Sequence, residues 1–391
     1  MTMKNRMEGM MSNEWKMVLL GDVCTKASSN ISLNKVADGL GEYPLFGASG
    51  FAKNINFYHQ EKEYIAIVKD GAGVGRVMML PPKSSIVGTM QYLLPKSNIY
   101  INYLCYILKQ LDLTKYASGA TIPHIYFKDY SKEDVFLPPI AKQREIAAVL
   151  DKASELVEKR KAQLAELDRL AESIFYDMFG DPVTNEKGWD MKTIEKLVVK
   201  NKNAIKRGPF GGALKKEIFV EDGYLVYEQF HALNNDFSFG RYYINEKKYK
   251  ELIGFAVVPN DIIISCSGVN LGKLAVIPDN SAKGIINQAL LKITLNNEII
   301  TNSLFVKIFT NENFKDKYFG YNRGCAIPNF PPMSDFKQFQ FICPPLSLQQ
   351  QFAVRIEKIE EQKAKVKEAL KESENLFQRL MQDMFNPECH N

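Results

Sequence analysis

Cysteines at metal-binding or redox spacing are missing from this chain. Cys24, Cys105, Cys266, Cys325, Cys343 and Cys389 stand far apart with no C-x-x-C pair, so they read as free thiols. Histidine is scarce as well. His59, His124, His231 and His390 lack the spacing of a zinc site. No apolar run reaches the ~20 residues needed to span a bilayer. The first residues, with Lys4, Arg6 and Glu8, lack the apolar stretch of about 7–15 residues found in a secretory leader. The expected setting is therefore cytoplasmic. Neither sign of charge dominates: 50 basic against 45 acidic side chains give +5, which permits nucleic-acid binding without requiring it.

The signatures of common catalytic centres are missing too. Gly71-Ala72-Gly73-Val74-Gly75 follows an apolar strand as a dinucleotide loop does, but Arg76-Val77-Met78-Met79-Leu80-Pro81-Pro82 continues as strand and stop instead of helix. Gly268 to Lys273 has neither the reach nor the hydroxyl of a phosphate loop. An amino-methyltransferase needs an Asn/Asp-Pro-Pro-aromatic segment, and Asn329-Phe330-Pro331-Pro332 has the wrong order. Pro278-Asp279 is not followed by the carboxylate and lysine of a magnesium-dependent nuclease. No catalytic, metal-binding or cofactor-binding residue is expected in this chain.

What the sequence does contain is an internal repeat. At 391 residues the chain has room for two or three domains. PPIAKQREIAAVLDK, residues 138–152, returns as PPLSLQQQFAVRIEK, residues 344–358, at an offset of 206 that holds without a gap to Asp177-Met178-Phe179 and Asp383-Met384-Phe385. After each Pro-Pro start, glycine and proline are absent until Gly180 and Pro387, so each copy predicts one helix of roughly forty residues and about 60 Å.

Heptad spacing picks out an apolar seam in the first copy at Ile146, Leu150, Ala153, Val157, Leu164, Leu167 and Ile174, with Ala171 and Met178. In the second copy the seam holds Phe352, Ile356, Ile359, Val366, Leu370, Phe377 and Leu380, with Met384. The two helices are expected to pair. Arg160, Lys363 and Ser373 interrupt the seams, either to fix the register or to reach solvent at the rim.

The segments ahead of the helices correspond more loosely. Trp15, Val18, Leu19 and Val23 match Trp189, Ile194 and Leu197 in apolar spacing. YIAIVKDGAGVGRV, residues 64–77, aligns with DIIISCSGVNLGKL, residues 261–274, as strand, glycine turn and strand. Gln91 and Gln288 follow at the same offset of 197, and GATIPHI (residues 119–125) answers GCAIPNF (residues 324–330). The offset grows from 174 at the tryptophans, so extra residues are expected around Tyr224 to Lys250. Helices that match better than domains suggest one scaffold carrying two different readers.

Arranged twice in order, Pro138-Pro139, Gln143 and Ala147, then Pro344-Pro345, Gln349 and Ala353, with YPLFGASG (residues 43–50), GPFGGAL (residues 208–214), the paired Ile-Pro segments and both D-M-F ends, resemble the specificity subunit of Type I restriction–modification systems. The resemblance spans nearly the whole chain. It implies a mixed α/β (α+β) fold: a target-recognition domain at 1–137, a spacer helix at 138–180, a second recognition domain at 181–343 and a second spacer helix at 344–391, the helices forming an antiparallel coiled coil. It further implies a non-catalytic reader of a split double-stranded DNA target, one half per domain. Two modification subunits that bind S-adenosylmethionine would methylate adenine, flipping the base into their own pocket. Separate motor-nuclease subunits would cleave.

Candidate DNA contacts lie on glycine turns and Ile-Pro loops, where backbone can approach phosphate closely. Arg76 and Lys273 suit phosphate or guanine, Gln91 and Gln288 adenine, and His124 and Asn329 base or backbone. Residues shared by two different readers cannot encode their difference. Readout is therefore also sought on Lys53, Tyr116, Arg207, Lys215, Lys216, Arg241 and Arg323. Two other readings fit part of the sequence: a non-catalytic protein–protein adaptor held together by its helices, and an enzyme in its own right.

Overall fold

A computed structural model of the chain describes residues 15–36, 41–119, 121–210, 212–268, 270–320 and 330–386. The chain forms two compact units, Met1–Ala162 with Val366–Asn391, and Gln163–Lys365. Each holds one mixed α/β domain and one end of each long helix.

The first unit is built on all-buried, largely β-branched runs such as Tyr64–Val68, the composition of a strand covered on both faces. Its strands are β1 Lys16–Leu19, β2 Cys24–Ser28, β3 Tyr43–Gly47, β4 Gly50–Ile55, β5 Tyr64–Val68, β6 Val77–Leu80, β7 Ser85–Ile86, β8 Met90–Pro95 and β9 Asp134–Leu137, with helix α1 Ile101–Gln110 before β9. They assemble as a sheet β2-β8-β5-β6, a second sheet β4-β3-β7 and the pair β1-β9.

The second unit repeats this plan with β10 Met191–Thr193, β11 Ile205–Arg207, β12 Phe219–Val220, β13 Tyr224–Tyr227, β14 Tyr243–Ile244, β15 Ala256–Val257, β16 Ile262–Ser265, β17 Leu274–Val276, β18 Gly284–Ile286, β19 Leu290–Ile293 and β20 Gln340–Ile342. Its sheets are β11-β19-β16-β17, β12-β14-β13-β18-β15 and β10-β20. In both units one parallel pair, β3 with β7 and β13 with β18, lies among antiparallel neighbours.

Strand pairing shows which residues of the two units are equivalent, and it corrects one correspondence. Ile67 faces Gln91, whereas Ile264 faces Leu291, so Gln91 corresponds to Leu291 and not to Gln288. Val87 N donates to Phe46 O as Asn287 N donates to Tyr227 O, which makes Gln288 the counterpart of Gly88. Three residues enter the loop between β17 and β18, and the constant offset of 197 ends there. Phe46 matches Tyr227 and Ile65 matches Ile262, so the offset steps from 181 to 197 between β13 and β16. There the second unit carries two short helices, α2 Gln229–Asn234 and Glu246–Glu251.

The long helices are α3 Ile140–Phe179 and, following α4 Asn302–Thr310, α5 Leu346–Met384. In the first unit the start of α3, with Ile146, Ala147 and Leu150, shares a core with Phe377, Leu380, Met381 and Phe385 at the end of α5. In the second unit Phe175 and Phe179, at the end of α3, pack edge-on to Phe352 at the start of α5 at 6.0 and 5.2 Å. The helices therefore pair antiparallel.

Ile146, Leu150, Ala153, Val157, Leu167, Phe352, Ile359 and Val366 are buried, and Leu164, Ile174, Ile356, Leu370, Phe377 and Leu380 half-buried. At the far end of each helix, however, full burial falls one residue past the heptad position, on Phe175 instead of Ile174 and on Met381 instead of Leu380. An α-helix lags a strict heptad by about 20° per repeat, so four repeats accumulate roughly 80°, close to the ~100° that one residue turns. Burying the Phe175 or Met381 side chain there contributes about 1.5–3 kcal/mol each.

The interruptions of the seam have local partners. Lys363 reaches across to Asp168 at 2.8 Å and along its own helix to Glu360 at 2.8 Å. Burial works against its charge, but the two hydrogen bonds outweigh that and raise its pKa. Ser373 Oγ donates to Ala369 O at 2.7 Å.

Each long helix is anchored where it starts. Gln143 is fully buried: its Oε1 accepts from Tyr100 N at 2.7 Å, and its Nε2 donates to Pro138 O at 2.8 Å and Asn98 O at 3.2 Å. Gln349 does the same in the second unit, accepting from Thr301 N at 2.8 Å and donating to Pro344 O at 2.8 Å and Ile299 O at 3.0 Å. Tyr100 and Thr301 are the N-caps of α1 and α4, so one amide ties a long helix to the domain helix beside it.

Candidate nucleic-acid interface

Reversing the chain between β5 and β6 requires three left-handed residues, and Gly71, Gly73 and Gly75 supply them at φ 84°, 86° and 86°. Gly75 N donates to Val68 O at 2.8 Å and Arg76 N to Gly73 O at 3.0 Å, closing the turn. Two other surface segments are bonded to it. Gly71 N donates to Pro123 O and Ile125 N to Lys69 O, both at 2.9 Å, which attaches the Ile-Pro loop. Arg76 Nη1 donates to Ala48 O at 2.7 Å, which attaches the β3–β4 hairpin. Three segments far apart in sequence thus form one surface.

His124 Nδ1 and Asp70 Oδ1 lie 2.8 Å apart, and Lys69 Nζ is 2.5 Å from Asp70 Oδ2. Burial opposes ionisation of Asp70, but the bonds to His124 and Lys69 outweigh it and hold its carboxyl below the usual range. The pair fixes the His124 ring, which remains 39% exposed and so accessible to a ligand.

The second unit builds the same corner from different side chains. Its turn uses Gly268 and Gly272 at φ 77° and 75°. Gly272 N donates to Ser265 O, and Phe330 N to Cys266 O as Ile125 N does to Lys69 O. Gln229, at the start of α2, takes the position of Ala48. Its Nε2 donates to Ser265 Oγ at 2.9 Å and Ser267 O at 3.0 Å. The bond that Arg76 makes to a backbone carbonyl in one unit is replaced in the other by a glutamine reaching in the opposite direction.

The sequence-selected residues divide sharply. Arg76, Lys273, Lys215, Lys216, Arg241 and Gln288 are exposed, with the Arg241 guanidinium 4.7 Å over the Tyr242 ring. Gln91 is buried and donates to the buried Tyr130 hydroxyl at 2.8 Å. Its carboxamide belongs to the sheet interior, where no adenine edge reaches it.

Tyr116 donates its hydroxyl to Glu133, which also pairs with Lys115. Those bonds keep the phenol protonated and lower the Glu133 pKa. Lys53 donates to Val36 O. Arg207, at the end of β11, is half-buried and lies 5.4 Å over the Phe210 ring. Burial pushes the neighbouring Cys266 thiol up to about 12 against the Arg207 charge. Arg323 and Asn329 lie outside the described residues. Sequence reasoning missed Lys69, Asp70 and Gln229, whose roles arise only when distant segments meet.

Charge follows the same division. Residues 1–137 and 181–343 carry +3 and +4, whereas residues 138–180 and 344–391 carry −1 each. The basic excess sits on the domains.

Residues 12–169 match the family model described as "Type I restriction modification DNA specificity domain". The chain is also 24% identical over 336 residues, 77% of its length and 76% of the relative's, to the Type I restriction enzyme MjaVIII specificity subunit of Methanocaldococcus jannaschii. The MjaIX specificity subunit of the same organism is 22% identical over 66% of this chain and 62% of its own.

Residues 12–169 thus match a Type I specificity domain, and most of the chain resembles Type I specificity subunits.

The chain resembles in fold the crystal structure of a Type I restriction–modification S subunit from M. genitalium, with a TM-score of 0.60, 14% identity and coverage of 96% of this chain and 98% of that one. A chain from a structure on complex assembly and conformational transition of the type I R-M system gives a TM-score of 0.53 at 13% identity, covering 97% and 99%.

Proposed function

We propose that this chain is the DNA sequence-recognition subunit of a Type I restriction–modification complex, reading a bipartite target with one domain per half-site. The observation that carries this reading is the duplicated corner: in two units of one topology a glycine turn is bonded to a neighbouring segment and to Ile125 or Phe330, and the side chains displayed there differ. Common backbone with divergent side chains is what two half-sites of unrelated sequence require.

The recognition domains correspond to residues 1–137 and 181–343 and the spacers to residues 138–180 and 344–391. Arg76, Lys273, Lys215, Lys216, Arg241, Gln288 and His124 are the side chains available to DNA, joined by Arg207. The chain itself is not a catalyst. Two modification subunits seat against it, bring S-adenosylmethionine and methylate adenine, and motor-nuclease subunits join them for cleavage. Among the described residues no helix is long and apolar enough to cross a membrane. We place the complex in the cytoplasm, acting on double-stranded DNA.

Mapping methylated adenines in cells with and without this chain gives the motif. Fluorescence anisotropy of the chain with its modification subunits, at stated salt, should then show tighter binding to a motif duplex than to a scrambled one. Equal binding to both duplexes excludes sequence recognition and favours a protein adaptor.

A further inference from the structure

Of the large apolar side chains described, the two most exposed are phenylalanines, one in each unit: Phe51 at 61% and Phe210 at 66%. Scattered apolar side chains on a surface need no explanation, but these two share a setting. Phe51 stands in the β3–β4 hairpin, three residues after Ala48, whose carbonyl accepts from Arg76 of the glycine turn. Phe210 stands three residues after Arg207, whose charge acts on Cys266 at the entry to the other glycine turn. The Phe210 ring lies under the Arg207 guanidinium at 5.4 Å, and the hairpin that carries Phe51 is bonded to Arg76 through Ala48.

Both rings have fixed footings. Gly208 and Pro209 are buried, and a Cβ on Gly208 would fall 1.8 Å from the Asn287 carbonyl oxygen. The backbone below Phe210 therefore packs directly on the loop before β19. Phe51 faces Phe46 across the hairpin, ring to ring at 6.3 Å. A rigidly mounted apolar ring with a cation at its side suits insertion into a base stack, because the ring replaces lost base–base contact while the cation meets flanking phosphate. A protein partner would not account for an arginine tied to the segment that carries each ring.

Resting on the reading of the chain as a DNA-recognition subunit, we propose that Phe51 and Phe210 are wedges, one for each half-site, that insert between adjacent base pairs of double-stranded DNA. Arg76 and Arg207 neutralise the phosphates flanking the opened steps. Each wedge makes its domain sensitive to how easily a step unstacks, a form of readout that needs no hydrogen bond to a base edge.

The test uses the full chain with its modification subunits and motif duplexes carrying 2-aminopurine at successive steps, away from the methylated adenine. Binding should raise the fluorescence at one step in each half-site. Phe210→Ala should abolish the rise in one half-site only and weaken binding about ten- to a hundredfold. Phe51→Ala should do the same in the other half-site, and Phe210→Trp should keep both signals. Unchanged affinity and fluorescence in both alanine variants overturns the proposal while leaving sequence recognition intact. Loss of modification-subunit assembly without DNA overturns it in favour of a protein contact. Failure of the wild-type complex to prefer its motif overturns both readings.

Discussion

Gln143 and Gln349 show how much one buried side chain can hold. Each bonds three backbone groups through one fully buried carboxamide, and a buried group left unsatisfied costs about 1–3 kcal/mol. Gln349→Ala should therefore destabilise the unit that carries it by about 3 kcal/mol or more, read as a lowered calorimetric transition, with Gln143→Ala acting on the other unit. An unchanged transition would mean that these amides are dispensable. Both glutamines were legible in the sequence as repeated residues, although their work was not. Gln91 and Gln288 were equally legible as a pair, yet one is buried against Tyr130 and the other exposed. A linear offset cannot register the three residues gained in a loop, whereas strand pairing does. His124 was chosen from its loop alone, and its bond to Asp70 depends on a contact across 54 positions.

Among the elements, the long helices were the most readable, because their signal is local: a Pro-Pro start, forty residues free of helix breakers, and apolar residues on one face. What heptad counting could not supply was the slip to Phe175 and Met381, which reflects the true pitch of the helix. The seam also explains what Lys363 does. A charged residue in an apolar seam gives up stability for register, and Asp168, itself 63% exposed, offers it a largely solvated partner. Lys363→Leu should raise stability by roughly 1 kcal/mol, as replacing polar seam residues with apolar ones commonly does, measured by thermal unfolding. A lower melting temperature would show that the ion pair itself stabilises the helices. The glycine turns were equally plain, since only glycine takes those backbone angles without strain. The segments they join were visible as motifs, but their meeting depends on tertiary contacts that no short pattern encodes.

For the whole molecule, the duplication implies that recognition and spacing are separable. Adding or removing seven residues in either long helix should alter the length of the non-specific spacer while leaving both half-site sequences unchanged, as adenine-methylation mapping of such variants would report. A change in the half-site sequences themselves would contradict that separation. The basic excess on the two domains, set against slightly acidic helices, also predicts binding that weakens steeply with added salt, since it depends on phosphate neutralisation.

The burial of Phe175, Phe179 and Met381 in globular cores, with Phe385 packed against one of them, has a mechanical corollary. A helix is a screw, so lengthening it also turns whatever is fixed to its end. Seven extra residues advance the tip by about 10.5 Å and leave it only ~20° short of two full revolutions, so these aromatic and methionine ends still face their sockets. One extra residue swings them by about 100° and unseats them. Length variants of this protein that survive selection should therefore differ by near-whole numbers of helical turns, such as about seven or eleven residues.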